Sequence, residues 1–270
     1  MAIKRYIASA DTTVTNAYRQ NLVTRGTSSN MGLADSLEVF NIYQQQSSGS
    51  IEQARILVQF PISTISSDRT AGTIPVSSSV SFYLKMYNVR HSQTLPKDFK
   101  VQINAISQSW SEGRGVDMDE YQDVGEPNWV SASSTSRWQQ ENAGVTYVTG
   151  ASEHPYPVYT GSFTNGTEDL EVNITDLVEQ WIGSVKGNYG VVIKMSASQG
   201  GLAETFYTKK FSARSSEFFF KKPAIEARWD SRTTDDRGNF YYSSSLAPAS
   251  DNLNTLYLYN IVRGRLRNIP

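Results

Sequence analysis

The sequence predicts an all-β fold: an antiparallel β-sandwich with one short helix and a C-terminal extension. The prediction rests on short segments that alternate apolar and polar residues, on a single segment with helical periodicity, and on the composition. Hydrophobic residues make up 39% and aromatic residues 11% of the 270-residue chain, which is enough for a sizeable core. An aromatic content of this size also argues against a disordered chain.

Several segments predict strands because β-branched and aromatic residues alternate with polar ones, or run together, between turn residues. They are residues 37–43, 54–60, 80–86, 100–106, 168–174, 190–195 and 224–229. In one of them, Phe82, Leu84 and Met86 fall on one face while polar and tyrosine side chains fall on the other. One apolar and one solvated face is typical of an antiparallel sandwich.

Residues 175–183 (TDLVEQWIG) predict the helix. Leu177 and Trp181 lie four residues apart and are part of one apolar stripe. Thr175 is the expected N-cap, and Gly183 is placed to end the helix. A helix this short is marginal alone, so we expect it to pack across an open end of the sandwich.

The chain divides into a predicted β-sandwich, residues 1–229, and an extension, residues 230–270. Residues 107–165 form a stretch too long for a hairpin loop, and such loops are usually functional or interfacial. The extension begins with a polar linker and ends in a strand-like segment, residues 256–262, for which no partner hairpin is evident. We therefore expect the start of a second module or an arm exchanged between subunits.

Composition and motifs exclude several classes of function. The net charge of −1 argues against general nucleic-acid binding, and the absence of cysteine excludes disulfide frameworks and thiol chemistry. No signal-peptide core and no apolar run of spanning length occur, so we expect synthesis in the cytoplasm and no membrane insertion. With two histidines and no nucleophile or phosphate-loop motif, the chain is not expected to be an enzyme. Glu112 near Trp110 is the one candidate for a hydrolase.

An ordered set of short motifs runs through residues 8–229. The motifs are Ala10-Asp11, Asn30-Met31-Gly32, residues 55–62 (RILVQFPI), residues 80–87, residues 109–113 (SWSEG), residues 172–175 (VNIT), Trp181, residues 188–190 (NYG), residues 211–216 (FSARSS) and residues 223–226 (PAIE). In this order they resemble the DNRLRE-type carbohydrate-binding module family, a β-sandwich jelly roll. Pro61 departs from the pattern, because the family usually has an aspartate there. The chain also looks like virion structural proteins of marine tailed phages that carry this module.

The resemblance implies a non-enzymatic structural component of a tailed-phage virion, on the head surface, the neck or a fibre. Such a protein would be made in the host cytoplasm, be located on the virion and assemble through its C-terminal arm with itself, as a homo-oligomer, and with other virion proteins. The alternative is a carbohydrate-binding module that recognises a host or environmental polysaccharide. Fold analogy alone does not choose between them.

Aromatic side chains provide two sets of candidate site residues. The candidate glycan platform, whose rings could stack on sugars or be buried beneath the long loop, is Trp129, Trp138 and Tyr156. The candidate assembly interface is Phe218, Phe219, Phe220, Tyr257, Tyr259, Arg263 and Arg265. For the phenylalanine run, filling of the core at a strand end is the alternative.

No cofactor is required by the sequence, and calcium is the metal that its oxygen-bearing side chains would suit. The candidate ligands are Asp117, Asp119 and Asp123 in one acidic loop, and Asp11 with Asn30 near the N-terminus. The acidic loop lacks the spacing of an EF-hand, so a solvated loop is its alternative. For Asp11 and Asn30 the alternative is an Asx turn between strands.

Overall fold

The computed structural model describes residues 1–43, 49–92, 97–116, 125–139, 144–148, 158–196, 206–238, 246, 248, 250 and 257–269. The chain divides into two compact units. The larger comprises Ile3–Arg228, and the smaller comprises Met1–Ala2 and Trp229–Pro270.

Strands dominate the described residues. In chain order they are β1 (Ala2–Ile7), β2 (Ala10–Thr15), β3 (Ser36–Tyr43), β4 (Ile51–Gln59), β5 (Val80–Met86), β6 (Phe99–Ala105), β7 (Ser131–Ser133), β8 (Ser136–Arg137), β9 (Val158–Phe163), β10 (Leu170–Asn173), β11 (Val191–Met195), β12 (Phe206–Ser212), β13 (Ala224–Trp229), β14 (Tyr259–Val262) and β15 (Arg265–Asn268). The α-helices are α1 (Ile62–Thr70) and α2 (Thr175–Ile182), and 3₁₀ turns cover Ser77–Ser79 and Phe219–Lys221.

Two large antiparallel sheets form most of the larger unit, which confirms the predicted all-β sandwich, and β7 pairs with β8 in a separate two-stranded sheet. The four-stranded sheet has the order β1-β13-β5-β10. The seven-stranded sheet has the order β12-β3-β4-β11-β6-β9, with β2 paired to β4. One of the sheets curls like half a barrel. Each strand segment predicted in residues 37–229 appears as a strand, with ends shifted by up to three residues.

The main core contains the inward-facing side chains of both sheets. Phe82, Leu84 and Met86 on β5 are all buried, as their alternation predicts. Phe99 on β6 and Phe163 on β9 stack with their ring centroids 4.9 Å apart, and both rings are almost fully buried. Aromatic burial of this kind supplies much of the driving force for folding.

The outer face of the seven-stranded sheet is not uniformly solvated, which departs from the simple two-faced prediction. Asn104 on β6 has a polar side chain that alternation assigns to the wet face, yet it is 1% exposed and its Nδ2 donates to the Val148 carbonyl. The reason is that parts of the long loop cover this face. They form a second apolar core with the strands, and its buried members are Val14, Leu57, Ile106, Trp129, Ala132, Trp138, Val145 and Val192.

The helices differ from the prediction in two respects. Helix α1 was not predicted, because its sequence (ISTISSDRT) has no apolar stripe and buries only Ile62 and Ile65. Its stability comes from tertiary contacts, including a bidentate ion pair in which Arg69 donates to Glu179 of α2 at 2.6 and 2.7 Å. Helix α2 forms as expected and ends at Gly183, but Ile174 takes the N-cap position.

Thr175 is therefore the first residue of α2 rather than its cap. Its hydroxyl donates to Asn173 Oδ1 at 2.6 Å and accepts the Phe82 N–H at 2.9 Å. The threonine thus joins the helix start to β5 instead of capping the first turn.

A buried lysine connects three segments of the sandwich. Lys209 on β12 is 0% exposed, and its ammonium donates to Asn88 Oδ1, the Gly166 carbonyl and the Glu168 carbonyl at 2.6, 2.8 and 2.7 Å. Three acceptors match the three donors of an ammonium group. The rings of Phe163 and Phe211 flank the charge, with centroids 4.7 and 5.3 Å from Nζ. Burial lowers the pKa of Lys209 to about 8.

Candidate functional site

Asp11 lies in a small charged cluster with Glu112 and Arg214. The carboxylate is 0% exposed, and its Oδ2 accepts the backbone N–H of Arg214 at 2.5 Å. The Arg214 guanidinium donates to both oxygens of Glu112 at 2.7 and 2.8 Å, and Glu112 Oε1 also accepts the Asp11 N–H. Burial raises the pKa of Asp11 to about 7, which the Arg214 N–H opposes and the charge of Glu112 reinforces.

This cluster joins distant parts of the chain rather than presenting a free acid. Both oxygens of Glu112 accept from Arg214, so the residue that the sequence singled out for hydrolysis is held in an ion pair. Its predicted companion, Trp110, packs against the second core and donates Nε1–H to the Tyr189 carbonyl at 2.8 Å. Sequence reasoning assigned no role to Arg214, because a lone arginine after a strand gives no signal of its partner.

Asn30 adopts the Asx-turn arrangement that the sequence left open. Its Oδ1 accepts the Gly32 N–H at 3.3 Å and the Gly115 N–H at 2.8 Å, and its Nδ2 donates to the Gly125 carbonyl. The oxygen that would bind calcium is thus engaged by two backbone donors. Among the described residues, no group of three or more His, Cys, Asp or Glu side chains is placed to hold a metal ion.

Trp129 and Trp138 are buried, which corrects the prediction that they form a glycan platform. Their exposed fractions are 6% and 5%, and both belong to the second core. The Trp138 indole N–H donates to the Asn128 carbonyl at 2.8 Å. Stacking on a sugar needs an exposed ring face, and neither indole presents one. Tyr156, Asp117, Asp119 and Asp123 lie outside the described residues.

Phe218, Phe219 and Phe220, the phenylalanine patch, follow β12 and are 56%, 59% and 75% exposed. The exposure contradicts the core-filling alternative. The rings of Phe219 and Phe220 meet edge to face at 5.5 Å, and Lys221 Nζ lies 5.0 Å from the Phe218 ring centroid. Exposed phenylalanines side by side are typical of surfaces that bind another molecule.

A cleft of about 650 Å³ lies beside this patch. Its lining includes Phe218 and Lys221, together with Tyr87, Arg90 and Asp169. The mixture of apolar, basic and acidic side chains at its border resembles the rim of a protein interface more than a closed ligand pocket.

The C-terminal segment forms its own hairpin, which corrects the prediction that its strand lacks a partner. Strand β14 pairs with β15 in the register Tyr259–Asn268 to Val262–Arg265. The turn residues Arg263 and Gly264 both have positive φ, 50° and 74°, as a two-residue type I′ turn requires. Sequence reasoning missed the turn because Arg-Gly is a weaker signal for it than Asn-Gly or Asp-Gly.

The hairpin leaves apolar side chains in solvent within the smaller unit. Leu258, Ile261 and Val262 are 72%, 66% and 47% exposed. Tyr257 is 37% exposed, whereas the Tyr259 hydroxyl donates to Asp236 Oδ2 at 3.1 Å. Arg263 and Arg265 are exposed at and after the turn. These side chains are exposed and therefore available for contacts. A two-stranded hairpin is only marginally stable alone, so such contacts would stabilise it.

None of the helices that the structure describes is long and apolar enough to cross a membrane. Comparison with protein-family models yields no match for this chain, and a search of curated proteins yields none either.

Proposed function

We propose that this protein is a non-enzymatic structural component of a tailed-phage virion and that it self-associates through the phenylalanine patch. The observation that supports the proposal is the exposure of three consecutive phenylalanines on an otherwise well-packed sandwich. At their exposed fractions they present on the order of 400 Å² of apolar surface, as much as the largest patch of a typical monomer. The sequence resemblance supplies the virion context.

Charge favours a second copy of the chain as the occupant of this patch. An acidic residue, Glu217, precedes the three rings, and two basic residues, Lys221 and Lys222, follow them. Glu217 and Lys221 both line the cleft beside Phe218, so an acidic and a basic side chain lie together at the border of the patch. Under two-fold symmetry, Glu217 of each copy can meet Lys221 of the other, which makes this border complementary to itself.

A charge-swap experiment tests the self-association. Glu217→Lys and Lys221→Glu are each expected to weaken the dimer about tenfold or more, because each brings like charges together at both of the symmetry-related contacts between residues 217 and 221. An equimolar mixture of the two variants should recover the dimer. Sedimentation of the full chain over a range of concentrations measures all three. Phe206→Ser is the matched control, since Phe206 is 63% exposed elsewhere in the same unit.

A monomeric wild type at high concentration, or variants that dimerise as well as wild type, would refute association through this patch. The virion context has its own test, an immunoblot across a density gradient of the native source lysate. Co-migration with intact particles at high copy supports the proposal, and recovery in the soluble fractions contradicts it. Burial of Trp129 and Trp138 removes two of the three residues of the predicted glycan platform, which weighs against the carbohydrate-binding alternative.

A further inference from the structure

Two basic residues stand side by side on the outer face of the seven-stranded sheet. Strands β4 and β11 are neighbours, and their register pairs Leu57 with Val192, both members of the second core. Arg55 precedes Leu57 by two residues, and Lys194 follows Val192 by two residues. Because the strands are antiparallel and side chains two residues apart share a face, both lie on the same face as that pair and on the same side of it. The border of the second core thus carries two adjacent positive charges.

Aromatic rings hold both side chains in place. The Arg55 guanidinium carbon lies 4.7 Å from the Trp129 ring centroid and 5.9 Å from that of Tyr147, while Lys194 Nζ lies 5.3 Å from the Tyr147 centroid. Lys194 also donates to Gln102 Oε1 at 2.6 Å. The backbone passes close to the guanidinium at Gly144, where an added Cβ would come within 2.7 Å of Arg55 Nη1.

This pair has no acidic counterpart among the described residues. Other partly buried arginines of the sandwich have one, as in Arg69 with Glu179 and Arg214 with Glu112. Like charges on adjacent strands repel, and burial increases the repulsion because less water screens it. Burial lowers the pKa of Lys194 to about 8, with a further contribution from the charge of Arg55. The pair therefore costs stability as it stands, and a bound anion would offset that cost.

We propose that Arg55 and Lys194 bind a tetrahedral oxyanion, a sulfate or phosphate group, at the border of the second core. Two positive charges that no described carboxylate neutralises match the double charge of such an anion better than the single charge of a carboxylate. Arginine suits this role because its planar fork of N–H donors fits phosphate and sulfate oxygens in pairs. The ring contacts leave those donors without a hydrogen bond to any described residue, and they fix the side chain before the anion arrives.

Titration calorimetry of the full chain tests the site, with sodium sulfate and sodium phosphate as probes at pH 7 and NaCl keeping the ionic strength constant. Wild type is expected to bind one anion, and Arg55→Gln and Lys194→Gln to weaken binding about tenfold or more. Lys100→Gln is the matched control. It removes an exposed lysine from the face of β6 that carries Gln102, the partner of Lys194, and this variant should bind the anion as wild type does. No binding by wild type, or an equal loss in Lys100→Gln, overturns the proposal.

Three further measurements complete the test. A phosphate monoester that binds more tightly than free phosphate identifies a larger molecule as the source of the group, whereas preference for the free ion identifies an ion site. Acetate binding as tightly as sulfate overturns the assignment to a doubly charged anion. The third measurement needs only wild type: saturating sulfate should raise the pKa of Lys194 by about one unit. NMR of the lysine side chain measures this pKa. An unchanged pKa overturns the proposal even if the variants fail to fold.

Discussion

Replacement of Lys209 by methionine tests whether its buried ammonium stabilises the sandwich. Methionine has similar length and an apolar end, so the change removes the charge and the donors with little change in volume. The three oxygens of Asn88, Gly166 and Glu168 would each lose their partner on Nζ. The Gly166 bond is buried and the other two are partly buried. Loss of a hydrogen bond from a charged donor costs about 2 kcal/mol, which amounts to about 6 kcal/mol for all three.

Removal of the charge works in the opposite direction. The pKa of Lys209 falls from 10.5 to about 8 on folding. Relative to the neutral amine, the ammonium is therefore about 3 kcal/mol less favourable in the folded protein than in water. Methionine recovers that cost. We therefore expect Lys209→Met to lower the free energy of unfolding by about 3 kcal/mol at pH 7.

Urea unfolding of wild type and variant measures the difference, and Lys210→Met is the matched control. Lys210 is the next residue, its ammonium lies 3.4 Å from Glu38 in a partly exposed ion pair, and its removal should cost less than about 1 kcal/mol. Equal stability of the two variants would refute the reasoning. The pH dependence gives a second check. Because the folded pKa is the lower one, wild type should gain stability relative to Lys209→Met as pH rises from about 8 to 10.5.

Three further predictions concern the charged cluster and the second core. The folded protein binds the proton of Asp11 more tightly than the unfolded chain does, because the pKa of Asp11 is raised to about 7. Wild type should therefore lose up to about 4 kcal/mol of stability as the pH rises from about 4 to 7, and Asp11→Asn should not show this loss. Urea unfolding at both pH values measures the difference. Arg214→Met should cost about 2 kcal/mol by the same method, since it leaves Glu112 without its bidentate partner. Trp138→Ala should lower the free energy of unfolding by about 3–5 kcal/mol, as truncation of a core side chain does, whereas an exposed platform residue would leave it unchanged.

Local pattern was sufficient for the elements whose signal lies within a single segment. The alternation of Phe82, Leu84 and Met86 fixed both the existence and the inward face of β5, and the stripe through Leu177 and Trp181 fixed α2. Helix α1 could not be predicted, because its stability depends on a partner 110 residues away, Glu179, that pairs with Arg69. Periodicity reports only what a segment buries, and α1 buries little.

The residues of the candidate sites were harder to predict than the strands, because their surroundings depend on segments distant in sequence. The exposed phenylalanine run was visible in the sequence, because adjacent strand or turn residues cannot all point inward. The role of the tryptophans was not visible, since their surroundings of Ser and Asn are equally compatible with a loop surface and with a covered sheet face. Arg55 and Lys194 gave no signal at all, because 139 positions separate them in sequence and only the register of β4 and β11 brings them together.

The two proposed surfaces make independent demands on the protein, and this independence is itself a prediction. The phenylalanine patch follows β12, whereas the oxyanion site depends on β4, β11 and the long loop. Neither set of side chains contributes to the other. Glu217→Lys should therefore bind sulfate as wild type does, and Lys194→Gln should dimerise as wild type does. If sulfate binding instead changes the dimerisation constant in wild type and not in Lys194→Gln, the two surfaces are coupled, and the phenylalanine patch alone does not account for assembly.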